Sequence, residues 1–169
     1  MEMSPATTAA LTKQANHELQ SAQAYLGVAY WCDVHQFSGF AKYFHHQVEE
    51  ERGHAAKLLK HLADRGDVPA LSALTAPAMS FKHLTEVAQK VYDLERANTA
   101  SIHATYEVTL AQKDYPAQVM LHWFINEQVE EEAWSEKLLA KTREATCVGA
   151  LSSLDRHLTK ILAGDDVGE

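Results

Sequence analysis

The sequence predicts an all-α protein: a bundle of four long packed helices, with a long crossover connection between helices two and three and a short fifth helix after them. Three observations predict this class. Only four prolines and seven glycines punctuate the 169 residues, and most fall where a helix could stop. Apolar residues recur at three- and four-residue steps through four long stretches. No run of alternating apolar and polar residues, which a half-buried strand needs, competes with them.

Each element has its own reason. Pro5 precedes a helical pattern that starts near Thr8 and runs to about His35, and QFSGF at 36–40 makes a short break. A second helix is expected from about Gly39 to Asp64, ended by RGDVP at 65–69. A connection of small and apolar residues follows, through APAMS at 76–80. The third helix is expected from about Phe81 to Gln112, with KDYP at 113–116 as a tight stop. Pro116 suits the first turn of a fourth helix, where a missing N–H costs least, and that helix continues to about Thr146. After CVGA, the stretch SSLDRHLTKIL predicts a fifth helix over about 152–163, with Ser152 or Ser153 as its N-cap and Asp155 in its first turn. The whole chain, 1–169, reads as one domain with its bundle over about 8–146. Helices of these lengths span roughly 40–48 Å. Short links join antiparallel neighbours, and the long middle link lets the third helix start from the far end.

Composition narrows the function classes. The chain is 46% hydrophobic and 22% charged, with a formal net charge of −8 and no block of Lys or Arg. Phosphate recognition needs cations, so nucleic acid is not expected as a partner, and anionic lipid would be repelled. No stretch approaches the roughly 18 apolar residues of a membrane span, and the first residues lack the pattern of a signal peptide. A cytoplasmic location is therefore expected. Cys32 and Cys147 are far apart in sequence, which argues against a disulfide framework, a zinc knuckle or a rubredoxin-type iron site.

The chemistry lies in glutamates that helical spacing turns inward. In the second helix Phe44, Val48, Glu51, Ala55, Leu58 and Leu62 step by four and three, so Glu51 sits within an apolar stripe. Glu49 falls on the solvated side and Glu50 at the stripe's edge, while His54 follows Glu51 by one turn. The same spacing places Glu18 inward with Leu11 and Tyr25, Glu95 with Val91, Asn98 and Ile102, and Glu131 with Phe124 and Leu138. Glu127 and Gln128 lie one turn before Glu131. A buried ionised carboxylate costs several kcal/mol, so four together must be protonated, paired with basic groups or bound to cations. No inward Arg or Lys is evident. Glu51 and His54 form Glu-x-x-His, which offers an oxygen and a nitrogen to one ion, and carboxylates from several helices around such a motif suit a di-iron or di-manganese centre. A structural bundle with protonated or hydrated glutamates is the competing reading. The other histidines read as solvated or structural, and on spacing alone Tyr25 and Trp123 read as core aromatics.

At these residues the sequence resembles the ferritins of the bacterial non-haem type. NHELQSAQAYL at 16–26, AYWCDVHQFSGFAKYF at 29–44, EEERGHAAKLL at 49–59, KDYPAQVMLHWFINEQVEEE at 113–132 and the final LSSLDRHLTKIL carry the resemblance over nearly the whole chain. It implies a first iron site of Glu18, Glu51 and His54, with Glu51 bridging to a second site of Glu51, Glu95 and Glu131, and Gln128 close by. It also implies a third, more exposed iron position drawing on Glu50, Glu127 and Glu130. Tyr25 takes the place of a tyrosine beside the di-iron centre, and Trp123 that of a nearby tryptophan.

Haem is not expected, because bacterioferritins bind it through a methionine directly after the bridging glutamate, where this chain has Arg52. They also carry a second Glu-x-x-His, where this chain has Gln128-Val129-Glu130-Glu131. The resemblance implies a ferroxidase that oxidises Fe2+ with O2 or H2O2 and deposits a ferric mineral inside a homo-oligomeric, 24-subunit cage. A di-iron or di-manganese oxidase, or a peroxide-handling enzyme without mineral storage, is the alternative.

Overall fold

The computed structural model describes residues 3–163, with side chains through Leu158 and that of Lys160. Its elements are α1 (Pro5–Val34), α2 (Ser38–Asp64), α3 (Leu84–Ala111), α4 (Tyr115–Glu144) and α5 (Val148–Ala163), and no strand occurs among the described residues. Contacts across the bundle give the topology. Tyr25 meets Phe44 and Glu18 meets Glu51, so α1 and α2 run antiparallel. Tyr106 reaches His122 and Gln89 reaches Arg143, so α3 and α4 do too. Gln14 reaches Ser101 while Tyr25 reaches Glu95, so α3 also opposes α1. These are the two antiparallel pairs and single crossover that the connection lengths predict.

The helix ends explain where the chain turns. Ser4 caps α1 by accepting the Thr7 N–H at 3.1 Å, and Asp114 caps α4 by accepting that of Ala117 at 3.2 Å. The first three helices stop alike. Gln36, Gly66 and Lys113 take left-handed φ values of 64°, 88° and 54°. The next N–H in each case, from Phe37, Asp67 and Asp114, closes onto Cys32, Leu62 and Thr109 carbonyls at 2.9–3.0 Å. That is the Schellman geometry, which satisfies carbonyls a helix end leaves open. The helix expected from Phe81 starts at Leu84 instead, because His83 is extended (φ −145°, ψ 155°), and the Glu86 carboxylate reaches back to accept the Lys82 N–H at 2.8 Å.

The crossover lies along α1. Asn16 donates to the Ala70 carbonyl and accepts from the Ser72 N–H, both at 2.9 Å. Gln20 does the same with the Thr75 carbonyl (3.1 Å) and N–H (2.7 Å). Two side-chain amides thus give the irregular backbone the partners a strand would otherwise supply. A methyl group on Gly27 would sit 2.8 Å from Pro77 Cβ, so this close passage requires glycine.

The fifth helix departs from expectation. It begins at Val148, four residues before Ser152, so neither Ser152 nor Ser153 is its N-cap. The Cys147 Sγ instead accepts the Ala150 N–H at 3.5 Å, and both serines are exposed within the helix. Asp155 is therefore not in the first turn. Its carboxylate accepts the Phe40 N–H at 2.9 Å, capping α2, whose own N-cap Phe37 offers no side-chain acceptor.

Two apolar clusters fill the interior. One, built around Tyr25, Phe40, Phe44, Val91 and Leu138, includes Leu154 and Leu158 of α5. The other joins Leu11, Leu58, Ile102, Leu121 and Phe124. Between them lies a polar layer.

Candidate metal centre

That layer holds the four inward glutamates. Glu18 is wholly buried, Glu51 and Glu95 are 1% exposed, and Glu131 is 7% exposed. Each sits mid-helix, where the apolar stripe leaves no route to solvent. Glu18, Glu51 and His54 each offer a ligand atom, and those atoms lie within 4.8 Å of one another. The His54 Nδ1 is 3.7 Å from Glu51 Oε2. That is too long for a hydrogen bond, yet within the span of two ligands each about 2.1 Å from one ion. Neither atom has a hydrogen-bond partner, although both are buried, and Gln47 Oε1 nearby on α2 is likewise unpartnered. Unsatisfied buried polar atoms are rare, and those of Glu51 and His54 belong to the residues that gather with Glu18.

Glu95 and Glu131 stand outside that three-residue group but face it. Glu95 Oε1 accepts a very short hydrogen bond from the Tyr25 hydroxyl, and its Oε2 accepts from Gln128 at 3.3 Å. Glu131 accepts a short hydrogen bond from the Trp134 indole N–H. The electrostatics show how close the four carboxylates are. Burial, and then the charge of Glu51, hold Glu18 well above the ordinary carboxylate range. Burial and Glu95 do the same to Glu51. Burial also raises Glu95, against hydrogen bonds from Tyr25 and Gln128. Burial and Glu95 raise Glu131 to about 8. With no basic group among the causes large enough to reverse these shifts, the metal-free site holds protons at neutral pH.

The remaining expected residues are spread out. Glu50 is half-exposed at the stripe's edge, 3.2 Å from His46 Nδ1 and hydrogen-bonded by Gln47. Its charge still acts on Glu51 and Glu131. Glu127 is half-buried and Glu130 exposed, and among the described residues the three do not gather into a close ligand group. Tyr25 is fully buried beside Glu95. Trp123 packs edge-on to His54, centroids 5.3 Å apart, with the Lys57 ammonium 3.3 Å from its ring centre. Arg52 is exposed and pairs with Glu49 at 2.6 Å. Among the other histidines, His35 stacks on Trp31 and His45 pairs with Asp33, as structural residues do.

Three residues of the layer were given no role by sequence reading, although spacing had turned Asn98 inward. Gln14 and Asn98, both buried, hydrogen-bond the two oxygens of Glu18 at 2.8 and 3.0 Å. Trp134 binds Glu131. Their spacing was a usable signal: Gln14 is one turn from Glu18, Asn98 one turn from Glu95, and Trp134 one turn from Glu131.

Four long helices around an inward carboxylate–histidine layer define the helical-bundle carboxylate proteins. A family model described as ferritin-like domain matches residues 8–145, and the chain belongs to that family. It is 37% identical over 127 residues to "Bacterial non-heme ferritin" of Staphylococcus aureus strain MRSA252, covering 75% of this chain and 76% of that one. It is also 37% identical over 131 residues to "Probable bacterial non-heme ferritin-like protein" of Haemophilus influenzae, covering 78% and 79%. Among solved structures, the open-pore ferritin of Archaeoglobus fulgidus superposes with a TM-score of 0.90 at 31% identity, over 94% of this chain and 98% of that one.

Proposed function

We propose that this protein is an iron-storage ferritin whose substrate Fe2+ binds at Glu18, Glu51 and His54, with Glu51 bridging to a second position formed with Glu95 and Glu131. The observation that carries the reading is the pair of buried, unpartnered atoms, Glu51 Oε2 and His54 Nδ1, inside a group of three ligands. Hard carboxylate oxygens with one imidazole suit Fe2+. Its double charge offsets the repulsion among carboxylates that otherwise favours their protonation, so iron entry displaces protons. Each Fe2+ gives up one electron to O2 or H2O2, and the ferric product fits the harder all-oxygen side better than the imidazole side.

In this reading the residues divide the work. Glu18 and Glu95 hold fixed positions, Glu51 is free to bridge, and Gln128 and Tyr25 orient Glu95. Tyr25 also lies where its hydroxyl could supply a proton or an electron to that side. Glu50, Glu127 and Glu130 form an outer position for iron leaving toward a mineral store. The protein works in the cytoplasm as a homo-oligomer, a cage of 24 subunits, and the acidic balance of −8 raises Fe2+ concentration near it. The test is Fe2+ oxidation followed in the near ultraviolet, after anaerobic loading with two irons per subunit and exposure to air. Glu51→Ala is expected to slow the initial rate by at least about tenfold. Equal rates would remove the assignment. Gel filtration checks the cage, which should elute far above the 18.8 kDa subunit.

A further inference from the structure

We propose that Asn98 is the node of a directional hydrogen-bond relay, Ser101 to Gln14 to Asn98 to Gln128, that positions Glu18 and Glu95 together and thereby ties the two metal positions to one another. The inference rests on the metal reading above and deepens it by adding positioning residues.

The direction follows from which atoms can donate. The Ser101 hydroxyl donates to Gln14 Oε1 at 2.5 Å. With its oxygen taken, Gln14 turns its NH2 toward two acceptors, Glu18 Oε1 at 2.8 Å and Asn98 Oδ1 at 2.9 Å. Asn98 in turn has its oxygen occupied, so its NH2 faces Glu18 Oε2 at 3.0 Å and Gln128 Oε1 at 3.5 Å. Gln128 then directs its NH2 to Glu95 Oε2 at 3.3 Å and Thr99 Oγ1 at 3.2 Å. An ionised carboxylate only accepts, so an amide of the chain that flipped would set its oxygen against a carboxylate oxygen, Glu18 for Gln14 and Asn98 and Glu95 for Gln128.

Burial makes the arrangement costly to hold without purpose. Gln14, Asn98 and Gln128 are 0%, 1% and 3% exposed, and a buried amide is tolerated only when its hydrogen bonds are made. Asn98 stands on the apolar stripe of α3 between Val91 and Ile102, where leucine would pack without such demands.

The relay also sorts the ligands. Both oxygens of Glu18 and one of Glu95 are gripped by neutral N–H donors, which fix a carboxylate while leaving lone pairs for an ion. Glu51 Oε2 and His54 Nδ1 receive nothing from it. The relay therefore grips the terminal carboxylates and not the bridging one, and Asn98 joins the two sides, touching Glu18 directly and Glu95 through Gln128.

The test is Co2+ titration of the full chain, reading the dissociation constant and the d–d absorption of each equivalent, with thermal melting of the metal-free protein alongside. Asn98→Leu, of similar size but without a donor, is expected to weaken both equivalents about tenfold and to alter the d–d bands. Should its Co2+ affinities and bands match those of the unsubstituted protein, the relay is overturned, whatever happens to the melting temperature. Ser101→Ala decides the matter if Asn98→Leu does not fold. A weaker first equivalent at unchanged melting temperature supports the relay, and an unchanged titration overturns it. Failure of the unsubstituted protein to bind Co2+ would overturn the metal reading itself, which separates the two claims.

Discussion

Glu51 in the metal-free protein feels the charges of Glu95 and Glu131 in a buried interior, with one oxygen lacking a hydrogen-bond partner. Its charged form is disfavoured in the folded state more than in the unfolded one. The sign of the linkage follows: a carboxyl whose folded pKa is raised adds stability below its unfolded value and loses it as pH rises through the folded one. Glu51→Gln removes that loss. The metal-free variant is expected to melt above the unsubstituted protein at pH 8, and the advantage should shrink to nothing by about pH 4, below the ordinary carboxylate pKa. Calorimetry without metal checks it, and a variant less stable at both pH values would refute the electrostatic account. The cysteines differ as sharply. Cys32 is buried, and burial, then Asp155, push its thiol up to about 12, whereas Cys147 is exposed. A thiol reagent at neutral pH should therefore titrate one cysteine in the native protein and both after unfolding.

Among the elements, α5 has the most specific attachment. A β-carbon on Gly39 would fall 1.8 Å from the Asp155 carbonyl oxygen, so α2 and α5 approach as closely as they do only because residue 39 has no side chain. The Asp155 carboxylate then caps α2 across the same contact. Gly39→Ala should displace α5 while α1 to α4 remain folded. Hydrogen exchange should show it as faster exchange within 148–158 than within α1 to α4, and uniform exchange across all helices would contradict it. Asp155→Ala, which removes only the cap, is expected to cost about 1 kcal/mol in denaturant unfolding. Neither role was legible in advance. Asp155 has the spacing of a first-turn acid in its own helix, and only the packing of α5 against α2 gives its carboxylate another helix to cap. The bundle's four helices were legible, because their apolar stripes run the full length and their ends carry Pro, Gly and Asp.

For the whole molecule, metal and stability are linked through pH. Burial and mutual repulsion raise Glu18, Glu51, Glu95 and Glu131, the last to about 8, so the metal-free fold loses stability as pH rises from the ordinary carboxylate range toward those values. A divalent ion binds the deprotonated form, so its affinity rises over the same interval. Added Co2+ or Zn2+ should therefore raise the melting temperature more at pH 7.5 than at pH 5.5. The gain reaches about 2.7 kcal/mol when free metal is a hundred times Kd. A metal-induced shift equal at both pH values would show that the ion binds elsewhere.

By itself the sequence determined the fold class, the two antiparallel pairs and the inward direction of the four glutamates and His54, because connection lengths decide which helices can be neighbours and helical period decides which side chains share a buried face. Tertiary structure decided what depends on distance between helices. It placed His54 Nδ1 and Glu51 Oε2 as unpartnered atoms in a group with Glu18, gave Tyr25 and Trp134 to the carboxylates Glu95 and Glu131, and aligned Gln14, Asn98 and Gln128 into one relay. Spacing within a helix says which way a residue points. Which residue of another helix it meets depends on the register between helices, and no single helix encodes that.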